Sequence, residues 1–307
     1  MEMDRQRKRV GAEAQAKRWW EDSHFTLLET LMEGSDSSIY GAIFEYNFSY
    51  NYQNFSSLRV PPRYVIAFRG TILTSQTWFS DARHDLRCIF DNLHHSPKFE
   101  HAMQAIHNMV VKYRDTSVWL AGHSLGAGLA VLAGKTMARF GFFLEAYIFN
   151  PPISSIPLET LIKCKMLKGG IRFGGSLLKA VVAKIFKVQE DDLPMNIVRW
   201  TPYLYVNPAD PICLEYIGYF KNKTFISKIG LSEIERTATR NPLRSLLVGK
   251  KKTSSPSEFA NEPLHFLTSA YMTVNKNVSH DIRKAHGLDQ WRDPSFNGEY
   301  VFYQFNS

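Results

Sequence analysis

The stretch Val118-Trp119-Leu120-Ala121-Gly122-His123-Ser124-Leu125-Gly126-Ala127-Gly128 decides the reading of this chain. Val118 to Ala121 is a short apolar run of the kind that fills a buried strand. From about Leu125 to Phe140 the sequence reads as a helix, and Gly141 stands where that helix would be capped at its C-terminus. Strand and helix meet in Gly122-His123-Ser124-Leu125-Gly126, a G-x-S-x-G pentapeptide. The turn this requires is so tight that Ser124 takes a strained backbone, which lifts its hydroxyl above the sheet edge. Gly122 and Gly126 remove side chains that would collide there, and Ala127, Gly128 and Ala130 let the helix lie close to the strand. The helix N-terminus turns its unpaired N–H groups toward any negative charge that develops beside the serine. A glycine-rich turn without chemistry is the alternative reading of the same residues.

Working outward, Arg63 to Phe68 is a nearly continuous apolar run, expected of a strand buried on both faces, and Ser38 to Tyr46 reads as a strand and turn. Phe99, Met103, Ile106, Val110 and Tyr113 recur at helical spacing, which predicts an amphipathic helix over 97–114, broken by Asp115 and Thr116. Ala146 to Phe149, stopped by Pro151 and Pro152, and Tyr203 to Val206, followed by Asn207 and Pro208, read as further strands. Strands alternating with helices mean βαβ units, hence an α/β fold with a mostly parallel central sheet flanked by helices. Lys250 to Pro263 is polar and reads as an exposed, mobile loop.

A serine is a weak nucleophile until a base takes its proton. In folds with a G-x-S-x-G turn the partners follow in the order Ser, Asp or Glu, His. Asp210 is the best acid, because it lies in the loop leaving the C-terminal end of the Tyr203–Val206 strand, the edge where active groups gather in open α/β sheets. It would fix the histidine tautomer and stabilise the imidazolium. His265, His280 and His286 all follow it, and the residues alone leave all three open. An oxyanion hole needs two backbone donors. One is the N–H of the residue after the nucleophile, Leu125; the other falls on Phe68-Arg69-Gly70-Thr71, where Gly70 allows the turn and Thr71 offers an N–H and a hydroxyl.

The 307 residues, 44% hydrophobic and 13% aromatic, are ample for one large α/β domain and too apolar for disorder. Cys88, Cys164 and Cys213 are odd in number and form no CxxC pair, which argues against a disulfide framework or zinc site and suits a reducing compartment. Residues 1–18 contain no apolar segment of the secretory type, and no run of 18 apolar residues occurs, so the reading is cytoplasmic. The net charge of +8 is uneven: +3 on 1–18, seven cations and no acid on 163–187, +7 on 221–252, and −9 on the rest. This distribution suits peripheral contact with an anionic membrane surface, or equally a set of solvated loops and helix faces. No nucleic-acid binding module frames these cations. His94-His95 reads as a polar turn rather than a metal site, and nothing in the sequence calls for a cofactor.

Phe-Arg-Gly-Thr after a strand, Gly-His-Ser-Leu-Gly-Ala-Gly and a later Asn207-Pro-x-Asp210-Pro211 together resemble the class 3 (fungal-type) lipases. Trp19-Trp20, Asp36 to Phe44, Phe149-Asn-Pro-Pro152 and Ala285-His-Gly-Leu-Asp-Gln-Trp291 resemble a plant branch of that family, often labelled GDSL esterase/lipase although no Gly-Asp-Ser-Leu motif is present. The resemblance runs from about Trp19 to the C-terminus and implies an α/β-hydrolase fold. It places the nucleophile on Ser124, the acid on Asp210, the oxyanion residue on Thr71 and, among the three histidines, the base on His286. It also favours acyl esters, lipids included, as substrates. Trp78, Asp81 and Asp85 match a W-x-x-D pattern of the family and are read as fixing a loop; His123 is read as packing locally. Before its Trp-Trp the branch usually has a longer segment than the short basic stretch here.

The resulting organisation is a basic tail at 1–18 and a hydrolase domain at 19–307, with 153–199 as a helical insertion or lid. Inside that insertion Leu177, Leu178, Val181, Val182, Ile185 and Phe186 form one apolar stripe with Lys179, Lys184 and Lys187 off it, which fits a lid, an interfacial anchor, or a helix packed on the body. The competing function is a catalytically silent scaffold acting as an interaction module, as in plant immune-signalling relatives with this fold. The sequence names no protein partner.

Overall fold

In the computed structural model of the chain, eight strands form one sheet whose spatial order follows chain order: β1 (Phe25–Met32), β2 (Ile39–Tyr46), β3 (Tyr64–Phe68), β4 (Val118–His123), β5 (Glu145–Phe149), β6 (Tyr203–Val206), β7 (Ser269–Asn275) and β8 (Gly298–Gln304). The structure describes residues 4, 6–8, 18–34, 38–47, 62–70, 93, 96–153, 199–228, 267–277, 279 and 281–304. Thr71, Trp78, Asp81, Asp85, His94, His95, His265, His280, the Lys250–Pro263 loop, most of the 1–18 tail and nearly all of the 153–199 insertion lie outside them. So do the 163–187 cations and most of 221–252.

β3 to β7 run parallel, and antiparallel β1, β2 and β8 extend the sheet on either side. Parallel neighbours require crossovers, and helices supply them: α2 (Pro97–Tyr113) between β3 and β4, α3 (Leu125–Arg139) between β4 and β5, and α4 (Glu215–Lys228) between β6 and β7. A four-residue α1 (Trp19–Asp22) precedes the sheet and α5 (Ile282–His286) follows β7. α2 begins where Ser96 Oγ accepts the Phe99 N–H at 3.2 Å, with Pro97 in the first turn. Its expected stripe is its buried face: Phe99, Met103, Ile106 and Val110, with Ala102 and Met109 beside them. α3 is buried on all sides from Leu125 to Ala138, and it ends at Gly141, φ +83°, where the Gly141 and Phe142 amides bond back to Ala138 and Met137.

One expectation needs correction. β3 is not buried on both faces: Tyr64, Ile66 and Phe68 are buried, while Val65 and Ala67 are only half-buried. The reason is visible across the sheet. Ile66, Leu120, Ile148 and Leu204 join one core with the inner sides of α2 and α3. The alternate face carries a ladder of stacked rings, Trp119–Tyr147–Tyr203–Tyr271–Phe302, with neighbouring centroids 4.7 to 5.2 Å apart. Sequence reading assigned no element to β1, β7, β8 or α4. β1 changes register between Leu27 and Glu29 and again between Leu31 and Met32, so its alternation is broken. Trp20, behind Trp19, packs on Phe44 and Ala42 and seats α1 against β2.

Candidate active site

The parallel registers align the strand ends: Phe68 lies opposite Gly122, His123 opposite Phe149, and Phe149 opposite Tyr205. Gly70, Ser124, Asn150 and Asp210 each follow one of these ends, and His286 follows β7. Ser124 sits between β4 and α3 with φ 55° and ψ −126°, a conformation that residues other than glycine rarely hold. Two close approaches explain the flanking glycines. A β-carbon on Gly122 would overlap the Gly126 carbonyl, and one on Gly126 would overlap the Phe68 carbonyl. The turn is also tied to its neighbour, since the Ser124 N–H donates to the Phe149 carbonyl at 3.0 Å. Leu125 opens α3, so its N–H has no carbonyl to bond within the helix.

The loop after β3 packs directly on Ser124. A β-carbon on Gly70 would lie 2.9 Å from Ser124 Cβ and 3.5 Å from Ser124 Oγ. Arg69 anchors that loop to β2: its backbone N–H donates to the Tyr40 carbonyl at 2.8 Å, and its Nε to the Ile39 carbonyl at 2.6 Å.

Asp210 is fully buried at the turn after β6. A buried carboxylate needs donors, and four reach it. His286 Nδ1 at 2.8 Å, Asn150 Nδ2 at 2.7 Å and Cys213 Sγ at 3.1 Å donate to Oδ2, and the Ile212 N–H donates to Oδ1 at 2.9 Å. Burial first, then the adjacent Asp210 carboxylate, pushes the Cys213 thiol well above its ordinary range, so the sulfur keeps its proton and donates it. Because the carboxylate only accepts, His286 Nδ1 carries a proton and Nε2 presents its lone pair. That Nε2 is buried and, among the described residues, has no hydrogen-bond partner.

The segment that carries His286 is held from both sides. His123 Nε2 donates to the His286 carbonyl at 2.7 Å, and the two rings lie 4.7 Å apart. Burial, and secondarily the nearby His286, push His123 down to about 4, so it stays neutral beside the other imidazole. From the opposite side Gln290 Nε2 donates to the Ala285 and Gly287 carbonyls, while its Oε1 accepts from Asn207 Nδ2 at 2.6 Å and Asn275 Nδ2 at 3.0 Å. Asn150 donates to the Ala285 carbonyl at 3.1 Å and accepts from Trp291 Nε1 at 2.9 Å.

The structure therefore brings Asp210 and His286 together and sets the Ser124 turn against His286 through His123; Thr71, His265 and His280 lie outside the described residues. Asn150, Gln290, Trp291 and Cys213 had no role in the sequence reading, although Phe149-Asn-Pro-Pro152 and Ala285–Trp291 were visible motifs. An amide at a strand end, followed by two prolines, was the available signal. Among the described residues no group of three His, Cys, Asp or Glu side chains could hold a metal ion, and no helix is long and apolar enough to cross a membrane.

Comparisons with known proteins identify relatives of this chain. The model of the family described as Lipase (class 3) matches residues 65–154. A GDSL esterase/lipase of Arabidopsis thaliana is 41% identical over 318 residues, spanning 99% of this chain and 88% of its own. The putative lipase ATG15 of Saccharomyces cerevisiae is 36% identical over 78 residues, 25% of this chain and 14% of its own. Among solved structures, the Lip2 lipase of Yarrowia lipolytica is 15% identical with a TM-score of 0.33, covering 66% of this chain and 67% of its own. An esterase of Pyrobaculum calidifontis is 12% identical with a TM-score of 0.30, covering 64% of this chain and 70% of its own. On the strength of the Arabidopsis relative, matched over 99% of this chain, and the family match over residues 65–154, the chain belongs to the class 3 lipases, carboxylic-ester hydrolases of the α/β-hydrolase fold, in the branch labelled GDSL esterase/lipase.

Proposed function

We propose that this chain hydrolyses carboxylic esters of acyl groups, lipids among them, through Ser124, His286 and Asp210 and an acyl-enzyme intermediate. The observation that carries the proposal is the buried Asp210–His286 pair at 2.8 Å, its Nε2 without a partner among the described residues, together with a serine held at positive φ next to His123, whose ring lies 4.7 Å from that of His286. Ser124 Oγ attacks the carbonyl carbon as its proton passes to His286 Nε2. The carbonyl oxygen becomes an oxyanion, held by the N–H groups of Leu125 and Thr71. On collapse the C–O bond to the alcohol breaks and His286 returns the proton to the leaving oxygen. Water then repeats the sequence on the acyl-Ser124 ester, releasing the acid. Asp210 stays ionised throughout and fixes the imidazole. Family membership favours acyl esters as substrates.

The test is turnover of p-nitrophenyl esters, from acetyl to palmitoyl, by wild type and Ser124→Ala, with labelling by a fluorophosphonate probe. Removing the nucleophile lowers kcat by about 10⁴–10⁶ in enzymes of this type, and the same loss with loss of labelling is expected here. The chain-length profile separates lipase from small-ester esterase. Folded wild-type protein that neither turns over nor labels would overturn the proposal in favour of the interaction module.

A further inference from the structure

We propose that Asn150 is a positioning residue for this site, locking the Asp210 carboxylate and the His286 segment into one geometry; the inference rests on the hydrolase reading above. Asn150 is the first residue after β5, fully buried, with its own N–H donating to the Tyr205 carbonyl at 2.9 Å. Its backbone conformation is uncommon. It adopts φ +48°, a region asparagine enters more readily than most residues with a β-carbon, and it precedes Pro151, which normally drives its neighbour to extended backbone. Strain of this kind persists only where the surroundings enforce it.

What the strained backbone delivers is a side-chain amide with its hydrogen-bonding groups assigned. The Trp291 indole is a donor only, so the oxygen of Asn150 must face it and the NH₂ group must face the other way. There it donates to Asp210 Oδ2 at 2.7 Å and to the Ala285 carbonyl at 3.1 Å. Oδ2 is the same oxygen that accepts His286 Nδ1–H, and Ala285 is the residue before His286. One NH₂ group thus sets both the direction of the carboxylate lone pair and the height of the histidine backbone. When His286 becomes an imidazolium, these bonds are already in place and need no rearrangement. Removing them should slow the chemical step and leave substrate binding alone.

The experiment uses the full chain with p-nitrophenyl butyrate, measuring kcat and KM for Asn150→Gly and Asn150→Asp in wild-type and Asp210→Ala backgrounds. Glycine accepts the positive φ, and aspartate has the same size and tolerates it, so neither tests the backbone. Expected for Asn150→Gly is a fall in kcat of roughly 10- to 100-fold with KM within about twofold, the scale of a catalytic group slightly misplaced. Asn150→Asp should be no better, since it fills the space but sets a carboxylate against Asp210. In the Asp210→Ala background Asn150→Gly should change kcat by less than about twofold, because the group it acts through is gone. Trp291→Phe, which releases the amide without removing it, should show a smaller loss in the same direction and serves should Asn150→Gly fail to fold. Wild-type kcat in Asn150→Gly, activity retained in Asn150→Asp, or the same factor in both backgrounds would each overturn the role. Ser124→Ala is run in parallel: if it turns over like wild type, the hydrolase reading itself fails, whereas an inert Ser124→Ala beside a fully active Asn150→Gly removes this inference alone.

Discussion

The turn that presents Ser124 is shaped by Gly122 to Gly126 and by the ends of β3 and β5, whereas the Asp210–His286 pair is held by Asn150, Asn207, Cys213, Asn275, Gln290 and Trp291, drawn from well-separated parts of the chain. The first region works by exclusion. Carbonyl oxygens occupy the space where β-carbons would stand, so one added atom is too many. The second works by addition of hydrogen bonds, each modest on its own and several meeting on the same atom. A region built by exclusion should fail all at once; a region built by addition should fail by degrees, and in rate before fold.

The sharpest way to break this contrast is Gly122→Ala. Its β-carbon meets backbone rather than a movable side chain, so a loss of about 3 kcal/mol or more is expected in urea unfolding. An unchanged midpoint would mean that the elbow tolerates what the geometry forbids.

His123 joins the two regions, and its charge gives a pH test. The unfolded chain takes up this proton near 6.5 and the native protein only near 4, so the unfolded state binds more protons between those values. Stability from this source is complete above about pH 6.5 and declines as pH falls toward 4, by about 3 kcal/mol in all. His123→Gln should lose correspondingly less between pH 7 and about pH 4.5. Parallel losses in the two proteins would show that His123 is not the group responsible.

Gln290→Leu attacks the additive region directly, leaving two carbonyls and two asparagine amides short of a partner. About 2 kcal/mol of stability should go, with the protein still folded and kcat reduced. Complete unfolding would place this network in the same class as the elbow. The smallest effect is a gain: Ser124→Gly relieves the positive φ and should raise stability by about 1 kcal/mol while turnover disappears. A melting temperature that does not rise would remove strain from the description of Ser124.

The same division explains what could be read from residue order. The elbow was legible because its constraints are neighbours in sequence: strand, glycine, serine, glycine and small-residue helix follow one another. Asp210 was legible from its place after the Tyr203–Val206 strand. His286 was separated from His265 and His280 only by family resemblance, because nothing local marks a histidine that will meet a carboxylate 76 positions away. Asn150, Gln290 and Trp291 look like ordinary polar or aromatic residues until the fold brings their hydrogen-bonding groups together. β7 and β8 escaped notice although they pair along seven residues, since a pairing partner cannot be read from one segment. α4 escaped because its buried Tyr216 and Phe220 suit a strand as well as a helix.

Strand order and chain order are the same in this sheet, and that has a consequence for how the protein is born. Each strand can dock on one already made, so the sheet can grow on the ribosome without waiting for a later segment to insert between earlier ones. The site, by contrast, is completed late, for His286 follows His123 by 163 positions. At about 5–20 residues per second, translation delivers it roughly 10–30 s after the serine turn. On the triad proposed above, the nascent chain would hold Ser124 without His286 during that interval, and hydrolysis would begin only once α5 has emerged and settled on Asp210.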